Sequence, residues 1–406
     1  MYVFDYGGQL GLKTSPSYFG DSYYSQLSNI DESRSQDVID YTYNELCFTF
    51  DNLRGKTQQL YMGDENLLSL GLDGVLTRDY PKIKEYLLSS NKQNFYEGYN
   101  ALFLALYDGG HTVNIASGSF DAFSNAVSRK SEQVFINLTE GVSARANASE
   151  STRASFFTTK LTKVGVQGNY YKYDSENSIA YIGFDKFVVD YQGWDDFYNG
   201  KGEVPVETDT YAFIRDKVYK AKTDGARNLV LDLTTNGGGS SYALEGILGL
   251  FNEGKAYIRM QNTFNDYVVK ENHLIDINLD GKWNEDDETE ASKFDFNVGV
   301  LTSNYAFSCG NLLPFNMKEL GYKILGEKTG GGSCAVSYQV TEEGLPFVHS
   351  SYYCLVDANG NNIDGGVDVD LSIEKTPLSE TSSLYDCSKF YNFASISEYL
   401  NSAYNK

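Results

Sequence analysis

Two short, nearly continuous apolar runs, NLVLDL at 228–233 and VGVLTS at 298–303, each break into a turn and then resume as an apolar pattern of helical period. Runs of that length without polar alternation are what strands covered on both faces require. SIAYIGFDKFVV and the helical YAFIRDKVYKAKTDG precede them, with Thr208-Asp209-Thr210 offering an N-cap to that helix and Gly225 closing it, and YKILGEKTGGG follows. Strands alternating with helices demand an α/β sheet with right-handed crossovers. The first turn reads Asn236-Gly237-Gly238-Gly239, with Ser240 or Ser241 capping SYALEGILGLF. The second runs from Ser303 to Leu312, is centred on Ser308, and leads into SCGNLLPFNMKELG.

A chain of 406 residues is too long for one small core and fits two or three packed units. Residues 30–108 read as helical: NFYEGYNALFLALYDGG sets Phe95, Tyr99, Leu102 and Leu106 on one face, with Asp108-Gly109-Gly110 ending the helix. HTVNI then reads as a short strand, and 119–165 is a mixed Ser/Thr/Asn-rich stretch without a clear period. The expected layout is a mainly helical domain over 1–118 ending in the His111 element and a mixed connecting segment over 119–170. An α/β domain follows over 171–406, with an insertion at 270–290 and a last helix in FYNFASISEYLNSAYN. SYYCLVDANGNNIDGGVDVDLSI suggests a hairpin through Asn359-Gly360.

A formal net charge of −22 argues against nucleic acid and anionic membranes as partners. No apolar run approaches the ~18 residues of a membrane span. MYVFDYGGQL has neither a basic start nor an apolar signal core, so Met1 can stand where a leader was removed. That leaves open a lipid anchor on a full-length precursor. Five cysteines without a CxxC pattern speak against zinc; Cys334 and Cys354 fit either a bridge or buried thiols.

A serine at a strand-to-helix junction meets backbone N–H groups, which suits acyl transfer if a base takes its proton. The Cys309 N–H is the natural first oxyanion donor, with Gly237 or Gly238 as the second, since glycine lets backbone approach a carbonyl closely. The competing readings are a plain N-cap for Ser308 and a phosphate cradle for the glycine turn. The second lacks GxxxxGK[ST] and GxGxxG. Three histidines offer a base: His273 in an acidic loop, His349 in the strand-like LPFVHSSYY, and His111 in YDGGHT, where two glycines give the ring room.

The series LVLDLTTNGGG, LTSNYAFSCGN, LGEKTGGG and GGVDVDLSI, with YDGGHT upstream, resembles the serine peptidases of the C-terminal processing (tail-specific) and tricorn-core family. The resemblance implies a crotonase/Clp-protease-like catalytic domain with Ser308 as nucleophile, acting on a peptide or protein. The processing branch takes its base from a lysine shortly after the TGGG-like turn. Gly331-Gly332-Ser333-Cys334 stands there instead, and Lys328 reads as a surface residue. The chain therefore looks like the tricorn-like branch, in which His111 is the base and Asp364 the carboxylate that orients it. Gly110 departs from the relay serine expected there, leaving Thr112 as an alternative hydroxyl. Pro314 is a second departure, and no segment suits the PDZ domain that many relatives carry.

Asp276, Asn278, Asp280, Gly281, Lys282, Asn284 and Asp287 fit the D-x-N-x-D-G loop with an acidic twelfth position. That predicts a structural calcium held by Asp276, Asn278, Asp280, the Lys282 carbonyl and Asp287, with no cofactor needed for catalysis. The expectation is a secreted, surface or periplasmic bacterial serine endopeptidase. The alternatives are a peptide-binding scaffold that kept the fold and an acyl-CoA enzyme of the crotonase type.

Overall fold

The computed structural model describes residues 2–6, 9–13, 33–55, 59–116 and 132–404. The chain divides into two compact units: Met1–Ala146 with Gln261–Tyr267 and Cys334–Cys354, and Asn147–Met260 with Val268–Ser333 and Leu355–Lys406. Compared with the layout read from the sequence, the division falls later, and two distant segments join the first unit. Part of the mixed segment from 119, residues 119–131, lies outside the described residues. Most of the remainder is a 27-residue helix, Gln133–Thr159, whose weak amphipathicity hides it from a reading by period.

The first unit opens with the antiparallel pair β1 (Tyr2–Tyr6) and β2 (Gln9–Lys13). Helices α1 (Gln36–Phe48), α2 (Asp64–Asp79), α3 (Pro81–Leu87) and α4 (Lys92–Ala105) follow. Asn91 caps α4 by accepting from the Asn94 N–H at 3.0 Å. Phe95, Tyr99, Leu102 and Leu106 are all buried, as their spacing requires. Strand β3 (Val113–Asn114) and the first part of α5 (Gln133–Thr159) come next. The late strands β11 (Cys334–Val340) and β12 (Pro346–Leu355) pair antiparallel, and β12 also pairs with β3. Phe347 of β12 closes the helical core beside Phe50 and Phe103.

The second unit is built on a six-stranded sheet. Its strands are β4 (Tyr170–Asp174), β5 (Ile179–Gly183), β6 (Asn228–Asp232), β9 (Asn297–Thr302), β10 (Lys323–Gly326) and β13 (Leu371–Ser372). From β5 to β13 the pairing is parallel, and β4 joins β5 antiparallel. The period of two sorts its residues: Ala180, Ile182, Leu229, Leu231, Val298 and Val300 enter one core. Ile179, Tyr181, Val230 and Leu301 enter the other. Both faces are covered, which is why the runs read as continuously apolar.

The first face carries α7 (Thr210–Asp224), α8 (Ser241–Leu250) and α10 (Cys309–Glu319). The other carries Phe156 of α5 and α11 (Phe393–Ala403), the helix predicted for the tail. Gly225 closes α7 as expected, and within the Thr208–Thr210 stretch the cap is Asp209, whose carboxylate accepts from the Ala212 N–H at 2.9 Å. Short elements complete the unit: α6 (Tyr191–Tyr198), the ribbon β7 (Lys255–Asn262) and β8 (Tyr267–Leu274), α9 (Glu285–Ala291), and the pair β14 (Thr376–Pro377) and β15 (Tyr385–Asp386). The hairpin expected at Asn359-Gly360 shrinks to one bridge, Val356 with Asn362. Its first arm is β12, whose ladder partner is β11, and its second arm runs on to β13 beside β10. Among the described residues, no helix is long and apolar enough to cross a membrane.

Candidate active site

Adjacent parallel strands end at the same edge of a sheet, so β6 and β9 deliver their following turns side by side. The Ser303 hydroxyl donates to the Thr234 carbonyl at 2.7 Å, and the Phe307 N–H to the Asn236 carbonyl at 3.3 Å. A Cβ built on Gly238 would stand 2.7 Å from the Ser308 Cβ and 3.1 Å from the Cys309 nitrogen. Only glycine permits that approach, and Gly238 also holds φ at +108°.

Ser308 sits at the N-cap position of α10 yet makes no capping hydrogen bond with its side chain. Its φ of 56° and ψ of −120° place a non-glycine residue in a sparsely populated region, at a cost of about 1–3 kcal/mol. The plain N-cap reading therefore fails. The hydroxyl is half-buried, on a strained backbone, at the start of a helix. Pro314 lies inside α10 without ending it.

As first residue of α10, Cys309 has an N–H with no intrahelical acceptor. Its thiol is not a rival nucleophile: Sγ donates to the Gly239 carbonyl at 3.1 Å, and burial pushes the group up to about 12. The Gly238 N–H donates to Asn236 Oδ1 at 2.8 Å, so that proposed donor already has a partner. Gly237 faces the Tyr305 ring instead, its absent Cβ 3.4 Å from the phenol oxygen.

The TGGG turn is tied to the start of α10, with the Ser308 N–H donating to the Gly331 carbonyl at 2.9 Å. Two residues on, the Ser333 N–H donates to Asp364 Oδ1 at 3.0 Å. Asp364 is 2 % exposed. Thr329 donates to Asn311 Oδ1 of α10 at 2.6 Å and accepts from the Val367 N–H at 2.6 Å, tying the late segment to the same helix. Asp364 is thus joined to the Ser308 neighbourhood by contacts within the second unit.

His111 belongs to the first unit and is 9 % exposed. Asp108 organises its loop: Oδ1 accepts from the His111 and Thr112 N–H groups at 3.1 and 2.7 Å. Oδ2 accepts from the Thr112 and Ser350 hydroxyls, each at 2.7 Å. Thr112 also accepts from the Ser350 N–H at 3.2 Å, so its hydroxyl is committed to the loop. Gly109 and Gly110 both take positive φ, and a Cβ on Gly110 would meet nothing within 4 Å.

The other histidines are placed elsewhere. His273 Nδ1 lies 2.5 Å from Glu245 Oε2 and is half-buried. His349 is buried among Phe50 and Phe347; its Nδ1 faces the Ser350 carbonyl at 2.9 Å, and Nε2 has no hydrogen-bond partner. Lys328 is exposed and pairs with Asp368.

Sequence reasoning missed the polar network at the end of β6. Asp232 is fully buried and accepts from Tyr170 at 2.6 Å, Tyr391 at 3.1 Å and both Thr234 donors. Lys160, at the end of α5, lies 3.3 Å from Asp232 and donates to Thr235 Oγ1 at 2.6 Å. Burial alone would push Asp232 up, but the Lys160 ammonium and these hydrogen bonds outweigh it and hold the carboxyl low. The network braces Thr234 and Thr235, the residues that launch the glycine turn. A lone aspartate inside an apolar run was the only signal.

In the 276–287 loop the carboxylates curl the backbone onto itself. Asp276 accepts from the Asp280 and Gly281 N–H groups, Asn278 from Asp280, and Asp280 from Lys282. Asp287 accepts from Ile277, Asn278 and Asn284. Leu279 and Gly281 both take positive φ. Among the described residues no group of three or more His, Cys, Asp or Glu side chains is gathered as a metal site.

Residues 178–373 match the sequence model of peptidase family S41. No curated protein matches the chain in sequence. Among solved structures, a putative peptidase from Parabacteroides merdae is similar over 87 % of this chain and 94 % of its own, with a TM-score of 0.51 at 16 % identity, which shows a shared fold. A lipoprotein from Streptococcus agalactiae covers 85 % of this chain and 95 % of its own at 13 % identity and a TM-score of 0.44. A putative S41 protease from Bacteroides fragilis covers 59 % and 58 % at 14 % identity and a TM-score of 0.38.

Proposed function

The chain carries a serine-peptidase domain of family S41, and on that premise we propose that it is an endopeptidase working through an acyl-enzyme on Ser308 with His111 as general base. In this reading the Ser308 Oγ attacks a peptide carbonyl while the imidazole takes its proton and later returns it to the leaving amine. Asp364 orients the ring. The Cys309 N–H and the glycine turn, through Gly237 given the bond already made by Gly238, stabilise the oxyanion. The observation that carries the proposal is the half-buried Ser308, held at positive φ with Gly238 against its Cβ and no capping bond to occupy its hydroxyl.

A fluorophosphonate probe on wild type and Ser308→Ala tests the nucleophile, and His111→Gln tests the base. Labelling should vanish in the first variant and fall by at least ~10²-fold in the second. A folded wild type that never labels at Ser308 would instead mark a peptide-binding protein on a peptidase fold.

The 276–287 loop adds a proposed structural calcium, with Asp276, Asn278, Asp280, the Lys282 carbonyl and Asp287 as oxygen ligands. Its support is the ligand spacing together with the positive φ at Leu279 and Gly281, which lets the loop turn tightly. The ion would hold the loop and take no part in hydrolysis. An extracytoplasmic bacterial setting, where calcium is abundant, suits both this loop and the acidic surface.

A further inference from the structure

We propose that Cys334 and Cys354 form a cross-strand disulfide in the mature protein. The two residues face each other across β11 and β12, and their sulfurs are 2.9 Å apart, inside non-bonded contact. The Leu355 N–H donates to the Ser333 carbonyl at 2.7 Å just beyond the pair. That bond flanks the pair and marks it as the closely spaced, non-hydrogen-bonded kind. At such sites the Cα separation falls within the range that a disulfide spans without moving the backbone.

The surroundings fit a bond better than two separate thiols. The residues are 3 % and 1 % exposed. Gly55 packs its backbone over them, and a Cβ there would stand 2.4 Å from the Cys334 sulfur and 2.9 Å from that of Cys354. The ladder is irregular here: after Cys334 with Cys354, the next pair is Val336 with Ser350. Backbone pairing therefore sets the register weakly at this end, and a covalent link would pin it. Ser333, the neighbour of Cys334, carries the N–H that binds Asp364. Pinning this end of β11 thus also holds the donor on that carboxylate. Two of the three other cysteines are engaged apart from the pair, Cys309 with the Gly239 carbonyl and Cys387 with that of Tyr385.

Closure oxidises the two thiols by two electrons. Both protons and both electrons pass to a low-molecular-weight disulfide, which leaves as two thiols. Burial means that the exchange takes place while the chain folds, and that reductants reach the finished bond slowly. The inference does not depend on the peptidase activity.

The test uses the full chain, reduced and unfolded, then refolded in a buffer of reduced and oxidised glutathione, and finally alkylated in denaturant without reduction. The expected product is about 2 Da lighter than the reduced chain before alkylation. Three thiols alkylate, and one linked peptide pair joins Cys334 to Cys354. Wild type should melt several degrees lower, about 2–4 °C per kcal/mol lost, once reduced. Cys334→Ala/Cys354→Ala should melt alike in both conditions. Five alkylated thiols in folded protein, or a link through Cys47, Cys309 or Cys387, would overturn the proposal.

Discussion

The N–H of Ser308 donates to the Gly331 carbonyl at 2.9 Å, which ties this serine to the glycine turn that leads on to Ser333, the N–H donor to Asp364. One hydrogen bond thereby couples the strand-to-helix junction after β9 to a carboxylate more than fifty residues downstream.

Gly238→Ala adds a methyl group 2.7 Å from the Ser308 Cβ and 2.8 Å from the Phe307 carbonyl, at a φ that alanine rarely adopts. Something must shift, and the nearest side chain is that of Ser308. The variant should fold with a loss of about 1–3 kcal/mol. Its kcat/KM should fall by ~10²-fold or more, as when an oxyanion donor is displaced. Urea unfolding and peptide hydrolysis, measured together, check both halves.

Ser308→Gly should be more stable than Ser308→Ala although both are inactive. Glycine accepts φ of 56° and ψ of −120°, while alanine keeps the strain. A difference of about 1 kcal/mol is expected, reduced by the greater backbone entropy that glycine loses on folding. Equal melting curves would remove strain from the account of Ser308.

Asp108→Ala strips the acceptor from the His111 and Thr112 N–H groups and from the Thr112 and Ser350 hydroxyls. Buried donors left without partners cost about 1–3 kcal/mol each, and a shared network loses less than the sum. A destabilisation of about 3 kcal/mol is expected, with a larger fall in kcat than in substrate affinity because the histidine loop loosens. Asp108→Asn should recover part of both, as read by kcat, KM and denaturant midpoint.

Burial holds the His349 pKa below its ordinary 6.5, against an opposing contribution from the Ser350 carbonyl. The native imidazole therefore binds fewer protons than the unfolded one below that pH. Its contribution to stability is complete above about 6.5 and is lost as pH falls toward the depressed folded value. His349→Leu, apolar and of similar volume among Phe50 and Phe347, should flatten that part of the stability–pH curve. Unfolding free energies of both proteins from pH 7.5 to 5 read the difference.

Calcium should raise the melting temperature if the 276–287 loop binds it, and excess chelator should reverse the rise. At a free concentration of a hundred times Kd the gain is about 2.7 kcal/mol. Asp280→Ala should abolish the response while leaving the unfolding free energy of the calcium-free protein within about 1 kcal/mol of wild type. An unchanged melting point in millimolar calcium would dispose of the site.

Much of this was legible beforehand. The buried strands β5, β6 and β9 announced themselves because both faces are covered, and their turns stood out because glycine and serine interrupt apolar runs. Helix α4 and the closure of α7 at Gly225 followed from period and capping. Helix α5 did not, because its apolar residues are sparse and serve two different cores, Phe135 and Leu138 in one and Phe156 in the other. The hairpin at Asn359-Gly360 was misread because turn residues report a reversal without saying which strand will pair.

The sequence by itself determined the sheet type, the two junctions, and Ser308 as the serine to watch, since these depend on local pattern and covalent spacing. Only the tertiary structure decided that Ser308 is not a cap, that Gly238 presses on it, and that Asp364 meets Ser333. It alone revealed Asp108 and Lys160. Each of those depends on which residues long chain reversals bring within a few ångströms, and side-chain hydrogen bonding leaves no periodic trace in a sequence.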